Sequence, residues 1–307
     1  MSGFFSRSLE EQEAIMMRAA QDALPLWGID GATLSLIKHR ENAVYRVETS
    51  GGAKFALRVH RPHYHSMAEL RSEILWMSAL TDAGVYTPAV VPAQDGESIK
   101  VLSPEGQDES FQIDILAWAD GTPIGSLEDG STPDADTLAG IYKKLGQLMA
   151  RVHKQVIGWE KPEDFTRHAW DLDGLTGPDP FWGRYWELEI LSDEQQELMV
   201  KVREKLRAIL TEYGTDPDRF GLIHADFMPE NILVNGDDVR VIDFDDAGYG
   251  WFMYDIATSV FFEADEPYFE QIVVALFEGY LSERELSEEH MAMLPVFMMA
   301  RGAAVLG

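Results

Sequence analysis

The stretch that decides the fold runs Leu222-Ile223-His224-Ala225-Asp226-Phe227-Met228-Pro229-Glu230-Asn231-Ile232-Leu233-Val234 and resumes after a turn as Val239-Arg240-Val241-Ile242-Asp243-Phe244-Asp245-Asp246. Its polar residues lie between apolar segments of strand character. Asn235-Gly236 has the turn chemistry of a tight hairpin, so residues 232–234 and 239–242 are predicted to pair. The hairpin would bring Asn231 and Asp243 together at its open end, where an amide oxygen and a carboxylate can share one hard cation.

The spacing within this stretch favours phosphoryl transfer. Asp226 and Asn231 fit the kinase catalytic-loop pattern His-x-Asp-x-x-x-x-Asn, and Asp243 opens a second metal-binding motif. The reaction needs a carboxylate that accepts the proton of the attacking hydroxyl, and cations that neutralise the phosphate oxygens. Asp226 is therefore predicted as the catalytic base, and Asn231 with Asp243 as ligands of Mg²⁺. His224 and Asp255 are predicted to support the loop structurally.

Upstream of this stretch the apolar period alternates between helical and extended. It predicts helices over 10–24 and 66–80 and strands over 34–37, 43–47, 54–59, 99–102 and 111–117, which would form an antiparallel sheet. After residues 120–123 the pattern becomes mostly helical, with long amphipathic stretches over 134–153 and 194–213. We therefore expect an N-lobe over 1–118 and a C-lobe over 119–307.

Composition narrows the possible functions. The 307 residues include no cysteine, which excludes disulfides, thiolate metal sites and cysteine nucleophiles. A net charge of −28 argues against a nucleic-acid partner, and it fits either a solvated surface or an acidic cleft for a cationic substrate.

Because neither an export signal nor an apolar run of membrane-spanning length is seen, we expect a cytoplasmic protein with no membrane partner. The apolar run 298–306 reaches almost to the last residue, so the natural protein could continue beyond it.

At the motif residues the sequence resembles the aminoglycoside phosphotransferase and choline kinase superfamily, which has the protein-kinase-like fold and phosphorylates hydroxyls of small molecules. The resemblance is carried by His224-Ala225-Asp226 with Asn231, by 242–250 and by 254–257. Segments 40–47, 57–62 and 182–186 are similar to the branch of bacterial stress-response kinases and type II homoserine kinases. The resemblance covers the chain from residue 30 onward. It implies an α+β, bilobal protein-kinase-like fold with an antiparallel-sheet N-lobe and a mainly helical C-lobe.

The same resemblance implies that ATP is the co-substrate and that Glu73, on the helix over 66–80, braces the side chain that binds its phosphates. Members of the superfamily usually place a lysine on the third strand, whereas this sequence has Arg58 there. Arginine can bind phosphate through its planar fork, so Arg58 is the expected phosphate ligand. Lys54, on the same strand, is the alternative.

Further nucleotide contacts are expected from a turn and from the lobe connection. The turn over 38–42 contains no glycine, so Asn42 and the neighbouring backbone amides are expected near the phosphates, unless the turn is an ordinary polar hairpin. The adenine ring is expected to lie against the connection at Leu116 and Trp118.

The leading hypothesis is an ATP-dependent kinase that phosphorylates a hydroxyl group of a small molecule. The candidate acceptors are an amino alcohol, an aminoglycoside and a hydroxylated amino acid. Four carboxylates are candidates for binding the acceptor, although each fits a solvated surface equally well: Asp171, Asp173, Glu187 and Glu263. A serine/threonine protein kinase would use the same chemistry. A nucleotide-binding pseudokinase is a third alternative, suggested by the missing strand lysine. The sequence does not indicate an oligomeric state.

Overall fold

A five-stranded antiparallel sheet and a set of packed helices make up most of the computed structural model, which describes residues 3–40, 42–126 and 130–307. The described residues divide into two units. One comprises residues up to 78 together with 88–119, and the other comprises 79–87 together with 120–307. The first is built on the sheet and the second is mainly helical, so the fold is of the α+β class.

The first unit contains the five strands of the large sheet, a first helix and most of a second helix, whose last residues belong to the second unit. In chain order they are α1 (Leu9–Ala23), a 3₁₀ turn (Leu24–Trp27), β1 (Thr33–His39), β2 (Ala43–Glu48), β3 (Lys54–Val59), α2 (Met67–Asp82), β4 (Ile99–Leu102) and β5 (Phe111–Ala117). The strand order is β1-β2-β3-β5-β4, with every neighbouring pair antiparallel. Each predicted strand of this unit is confirmed, with its bounds shifted by two residues at most.

Side-chain alternation explains where the core of this unit lies. Ala43, Tyr45 and Val47 are fully buried on one face of β2 and belong to the same hydrophobic cluster as Ile15 and Met16 of α1. The period of two in the strand and the helical period in α1 thus bury facing apolar surfaces. The sheet is therefore held by a helix on one face.

The second unit contains most of the helices. Its elements are β6 (Thr122–Pro123), β7 (Gly125–Ser126), β8 (Gly130–Ser131), α3 (Ala135–Gly158), β9 (Ala169–Trp170), α4 (Leu172–Thr176), α5 (Asp193–Tyr213), β10 (Phe220–Ile223), a 3₁₀ turn (Pro229–Asn231), β11 (Ile232–Asn235), β12 (Asp238–Val241), β13 (Gly248–Trp251), α6 (Phe252–Phe261), α7 (Phe269–Glu283), α8 (Glu288–Met291) and α9 (Leu294–Leu306).

The predicted hairpin forms between β11 and β12. Ile232 pairs with Val241, and the strands are joined through Asn235 and Gly236, whose φ is +60°. A positive φ is costly for most residues and free for glycine, so the turn forms where the sequence predicts it. The hairpin is confirmed within one residue at each strand end.

A second sheet, formed by β10, β13 and β9, positions two loops: the one that contains Asp226 and the one that contains Asp243. β13 pairs antiparallel with β10, with Ile223 opposite Gly248, and it pairs parallel with β9. β10 leads into one loop after Ile223, and β13 begins directly after the other loop, which ends at Ala247. Because Ile223 pairs with Gly248, both loops adjoin the same ends of these strands. A Cβ atom on Gly250 would lie 2.4 Å from Ile223 Cδ1, so any other residue here would require the Ile223 side chain to move.

Close helix packing completes the second unit. A Cβ atom on Gly279 of α7 would lie 1.8 Å from the Lys143 carbonyl oxygen of α3, so glycine lets the two helix backbones approach. Among the residues that the structure describes, no helix has both the length and the apolar character needed to cross a membrane.

Candidate active site

The carboxylate of Asp255 binds the backbone of the loop that follows β10. The Asp255 carboxylate, fully buried at the start of α6, accepts the backbone N–H of His224 at 3.0 Å and that of Ala225 at 2.6 Å. Ala225 has φ +65°, a conformation that L-residues rarely adopt. The two charge-assisted hydrogen bonds stabilise this turn and fix the direction in which the next residue, Asp226, leaves the loop.

His224 connects residues 224–231, the predicted catalytic loop, to residues 243–247, the predicted metal-binding loop. Its Nδ1 accepts the N–H of Asp226 at 3.2 Å, and since that backbone group can only donate, the ring proton lies on Nε2. Nε2 in turn donates to the Ile242 carbonyl oxygen at 3.2 Å. The ring centroid lies 4.6 Å from those of Phe227 and Phe244. These contacts agree with the structural role predicted for His224, which stays a prediction.

The carboxylate of Asp226 is held at both oxygens. Oδ2 accepts a hydrogen bond from Asn231 Nδ2 at 2.7 Å, and Oδ1 accepts one from Arg301 Nη2 at 3.0 Å. A carboxylate offers about four lone-pair sites, so each oxygen keeps one for a further donor such as an acceptor hydroxyl. The residue is only 6% exposed, which limits the directions from which such a hydroxyl can arrive.

Asn231 and Asp243 both lie at the open end of the hairpin. The Ile242 N–H donates to the Asn231 carbonyl at 3.0 Å, so the two strand ends are in register. Because Asn231 Nδ2 is directed to Asp226, its Oδ1 is the atom that remains for a cation. Asp243, half-buried with φ +66°, directly follows Ile242 and so brings a carboxylate to the same end of the hairpin. Hard oxygen donors of this kind fit Mg²⁺ or Ca²⁺.

The segment after Asp243 is held by side chains that the sequence analysis did not single out. Arg167 is buried and donates to the carbonyl oxygens of Asp245 and Ala247. Trp170 Nε1 donates to the Asp246 carbonyl at 2.8 Å. Three consecutive carbonyl groups are thus bound from the segment that precedes α4, which fixes the backbone of the metal-binding loop.

Arg301 is a further residue that the sequence analysis missed. It lies on α9, is 1% exposed, and donates to the Ala225 carbonyl at 3.2 Å as well as to Asp226. Burial opposes its charge, but the nearby Tyr254 and Asp226 hold the pKa of the Arg301 guanidinium above its usual value. A single cation inside the apolar run 298–306 was the signal available in the sequence.

In the first unit, Arg58 is the centre of a buried ion cluster. It donates to both oxygens of Asp114, from Nε at 2.9 Å and Nη2 at 2.7 Å, and to Glu73 Oε1 from Nη1 at 2.7 Å. His60 Nε2 lies 3.0 Å from Asp114 Oδ2. The sequence analysis paired Arg58 with Glu73 and did not consider Asp114. Lys54, the alternative to Arg58, is exposed at the start of β3.

The other residues assigned to the nucleotide also lie in the first unit. Asn42 is 9% exposed, and its Oδ1 accepts the backbone N–H of Arg61 at 3.0 Å. Leu116 is buried on β5, and Trp118 follows that strand with the Arg46 guanidinium 5.6 Å from its ring centroid. Glu41, in the same turn as Asn42, lies outside the described residues. A nucleotide role for these residues stays a prediction.

Two of the four candidate acceptor carboxylates lie around α4. Asp171 is its N-cap and accepts the N–H groups of Asp173 and Gly174 at 3.0 and 2.8 Å. Asp173 is exposed and forms an ion pair with Arg207 at 2.9 Å. Both carboxylates therefore have local structural partners.

The other two candidates differ in burial. Glu187 is exposed and accepts a hydrogen bond from Trp186 Nε1 at 3.2 Å. Glu263 is 2% exposed, and its two oxygens accept the hydroxyl groups of Ser131 at 2.5 Å and Tyr268 at 2.7 Å. Acceptor binding by any of these four carboxylates stays a prediction.

Comparison with known proteins agrees with this arrangement. The sequence matches the model of the phosphotransferase enzyme family (APH) over residues 33–290. Homoserine kinase of Rhodopseudomonas palustris (strain TIE-1) is 30% identical over 273 residues, covering 86% of this chain and 74% of that protein. The predicted superfamily is thereby confirmed.

Two solved structures are similar over nearly the whole chain. A microcompartment-associated aminopropanol kinase has a TM-score of 0.82 and 35% identity, covering 94% of this chain and 88% of that one. Amicoumacin kinase hAmiN, in complex with AMP-PNP, Ca²⁺ and Ami, has a TM-score of 0.80 and 20% identity, covering 97% and 87%. The predicted protein-kinase-like fold of the α+β class is confirmed.

Proposed function

Because the chain belongs to the phosphotransferase enzyme family, we propose that it uses ATP and Mg²⁺ to phosphorylate the hydroxyl of a small alcohol that carries an amine. That it is a phosphotransferase acting on a small-molecule alcohol follows from the family and its kinase relatives. The observation that carries the finer proposal is the hydrogen bond from Asn231 to the Asp226 carboxylate, at the end of the hairpin to which Asp243 also belongs.

In the proposed reaction, the acceptor hydroxyl donates a hydrogen bond to a lone pair of Asp226. The hydroxyl oxygen forms a bond to the γ-phosphorus while the bond from that phosphorus to the β,γ-bridging oxygen breaks, so ADP leaves. Asp226 takes the hydroxyl proton. The fixed carboxylate contributes by orienting the hydroxyl before reaction, since alignment alone supplies a large part of such rate enhancements.

Asn231 Oδ1 and the Asp243 carboxylate would hold the divalent cation, whose chemistry is to neutralise charge on the phosphate oxygens. The amicoumacin kinase complex with Ca²⁺ and a nucleotide analogue supports the use of a divalent cation and ATP in this fold. In the first unit, Arg58, Glu73, Asn42, Leu116 and Trp118 remain our proposals for nucleotide contacts.

The acceptor class is proposed from the similar proteins. Aminopropanol and homoserine, named in two of them, each combine a hydroxyl with an amine. The net charge of −28 is compatible with an acceptor that carries a positive charge. We therefore place amino alcohols first and hydroxylated amino acids second.

The test is acceptor-stimulated ADP release, measured with 1-amino-2-propanol, ethanolamine, homoserine, an aminoglycoside and the amine-free 1,2-propanediol. We expect amine-bearing alcohols to stimulate ADP release in the presence of Mg²⁺. Asp226→Asn should lower kcat by about 10²- to 10⁴-fold while leaving Mg²⁺–ATP affinity nearly unchanged. Asp243→Asn should weaken that affinity by more than about tenfold, the scale that loss of an outer-shell partner already reaches.

Two results would contradict the proposal. An equal loss of Mg²⁺–ATP affinity in both variants would remove the distinction between base and metal ligand. If the wild-type protein binds Mg²⁺–ATP but releases no ADP with any of the alcohols, the proposal that the acceptor is an amine-bearing alcohol is wrong.

A further inference from the structure

Arg301 is a charged side chain in an otherwise apolar helix. It is 1% exposed, and α9 around it contributes buried Phe297, Ala300 and Ala304 to the core. Burying a guanidinium costs several kcal/mol unless it is paired and hydrogen-bonded. A helix that needed only to pack would place an apolar residue there, so the position calls for a second reason.

The partners of Arg301 provide that reason. One guanidinium nitrogen, Nη2, donates to Asp226 Oδ1 at 3.0 Å and lies 3.3 Å from Met228 Sδ. The other, Nη1, donates to the Ala225 carbonyl at 3.2 Å. All three partners belong to the catalytic loop, so the cation binds the loop backbone and the carboxylate of its base together.

Two donors from different elements then fix the plane of the Asp226 carboxylate. Asn231, from the 3₁₀ turn, binds Oδ2 at 2.7 Å, and Arg301, from α9, binds Oδ1. A carboxylate held at one oxygen can still rotate about its terminal torsion, which is broad and shallow. With a donor on each oxygen, the lone pairs left for the acceptor hydroxyl have one direction.

The guanidinium plane is itself fixed by an aromatic ring. Its central carbon lies 4.8 Å from the centroid of Trp182, whose ring contacts that of Trp170 at 4.9 Å. Trp170 also donates to the Asp246 carbonyl of the metal-binding loop. The contacts form a continuous chain from the base through Arg301 to the segment that holds that loop.

We propose that Arg301 is a positioning residue, which holds the carboxylate of Asp226 in the single orientation that accepts the proton of the acceptor hydroxyl. This inference rests on the proposed function. It assigns Arg301 an effect on the chemical step and none on nucleotide binding, which a purely structural cation would not produce.

The test compares Arg301→Met with Arg203→Met. Arg203 is a matched control because its guanidinium also lies over a tryptophan, 4.2 Å from the Trp186 ring, and donates to a backbone carbonyl, at Thr176, without contacting the catalytic loop. Arg301→Met should lower kcat by about 10- to 100-fold, with the KM for ATP within twofold of wild type. Arg203→Met should leave both constants unchanged.

Arg301→Lys keeps the buried charge and so covers the case in which Arg301→Met does not fold. A lysine ammonium reaches fewer of the partners than the arginine fork, so kcat should lie between those of wild type and Arg301→Met. Guanidinium ion added at millimolar concentration should raise kcat of Arg301→Ala and leave Asp226→Asn unchanged. Wild-type kcat in Arg301→Lys, or parallel losses of kcat and ATP affinity in Arg301→Met, would overturn the proposal.

A second readout needs no activity and therefore separates this proposal from the proposed function. Crystal structures of wild type and Arg301→Lys should show the Asp226 carboxylate in one orientation in the first and in more than one in the second. An identical single orientation in both would refute the positioning role, even in an active kinase. Missing ADP release by wild type with every alcohol would instead refute the proposed function.

Discussion

Asp114 supplies the negative charge that faces Arg58 and His60 in the buried ion cluster of the first unit. It is 0% exposed on β5, directly opposite Arg58 of β3. Burial raises the pKa of its carboxyl, but Arg58 and His60 outweigh that effect, and the net pKa lies below the ordinary 3.8. The carboxylate is therefore ionised in the folded protein and contributes to stability while it is ionised.

We expect Asp114→Asn to lower the free energy of unfolding by about 3 kcal/mol, because the amide keeps only one acceptor oxygen for Arg58 and removes the negative charge that pairs with the buried guanidinium. The sign of the pH dependence follows from the lowered pKa. The contribution is fully present above the unfolded pKa near 3.8 and is lost as pH falls through the lower folded value. The stability difference between wild type and Asp114→Asn should therefore be constant at neutral pH and shrink below about pH 4.

Urea denaturation from pH 7 to pH 3 checks this. Asp22→Asn is the control, since Asp22 is an exposed acid that pairs with Arg18 at 3.3 Å. Exposed pairs of this kind contribute about 0–1 kcal/mol, so its effect should be small at every pH. A difference for Asp114→Asn that stays constant down to pH 3 would show that its carboxylate is not the titrating group.

At the scale of elements, the connection between Arg167 and the metal-binding loop is open to a direct test. Arg167→Met leaves the buried carbonyl groups of Asp245 and Ala247 without their donor. An unsatisfied buried polar group costs about 1–3 kcal/mol, so the fixed loop conformation should lose population. We expect Mg²⁺–ATP affinity to fall by about 5- to 100-fold, measured by titration calorimetry at several Mg²⁺ concentrations.

Arg219→Met is the matched control for that variant. Arg219 also donates to a backbone carbonyl, that of Tyr213 at 2.7 Å, but this contact lies at the end of α5. It should leave Mg²⁺–ATP affinity unchanged. The same loss of affinity in both variants would mean that general destabilisation, and not loop geometry, was measured.

Elements with a local signal were predictable and long-range contacts were not. Asn235-Gly236 specifies the β11–β12 hairpin within a few residues, and Ser66 caps α2 through hydrogen bonds with Glu69. Arg167 and Asp245, by contrast, are 78 residues apart, and the bond joins a side chain to a backbone carbonyl, which leaves no pattern in the sequence. The pairing of β13 with β10 was not predicted either, because the paired residues are also distant in the sequence.

Arg301 shows that a recognised motif does not predict every residue that contacts it. The sequence identified Asp226 and Asn231 from their spacing of five, yet the donor on the other oxygen of Asp226 is 75 residues away. Hydrophobic patterning describes 298–306 as a core helix, which is correct for its neighbours and uninformative about the one cation. Only the tertiary contact identifies its role.

For the molecule as a whole, strand-then-helix patterning was sufficient to predict the α+β class, because each unit is rich in one type of element. The acceptor could not be predicted in the same way. Acidic residues are common in this chain, and candidates such as Asp171 and Glu263 have local partners that explain their positions. Acceptor recognition depends on pocket shape, which residue spacing does not encode.

The net charge of −28 nevertheless makes a prediction about acceptors that is independent of any single residue. A protein with this charge attracts cations before contact, and salt screens the attraction over about 8 Å at physiological ionic strength. At saturating Mg²⁺–ATP, kcat/KM for 1-amino-2-propanol should fall by about tenfold between 20 and 300 mM salt. The neutral 1,2-propanediol, tested as substrate or as competitive inhibitor, should show little change. Equal salt dependence for both would mean that the acidity is a solvated surface without influence on the acceptor, and the amine would then have to be recognised by short-range contacts alone.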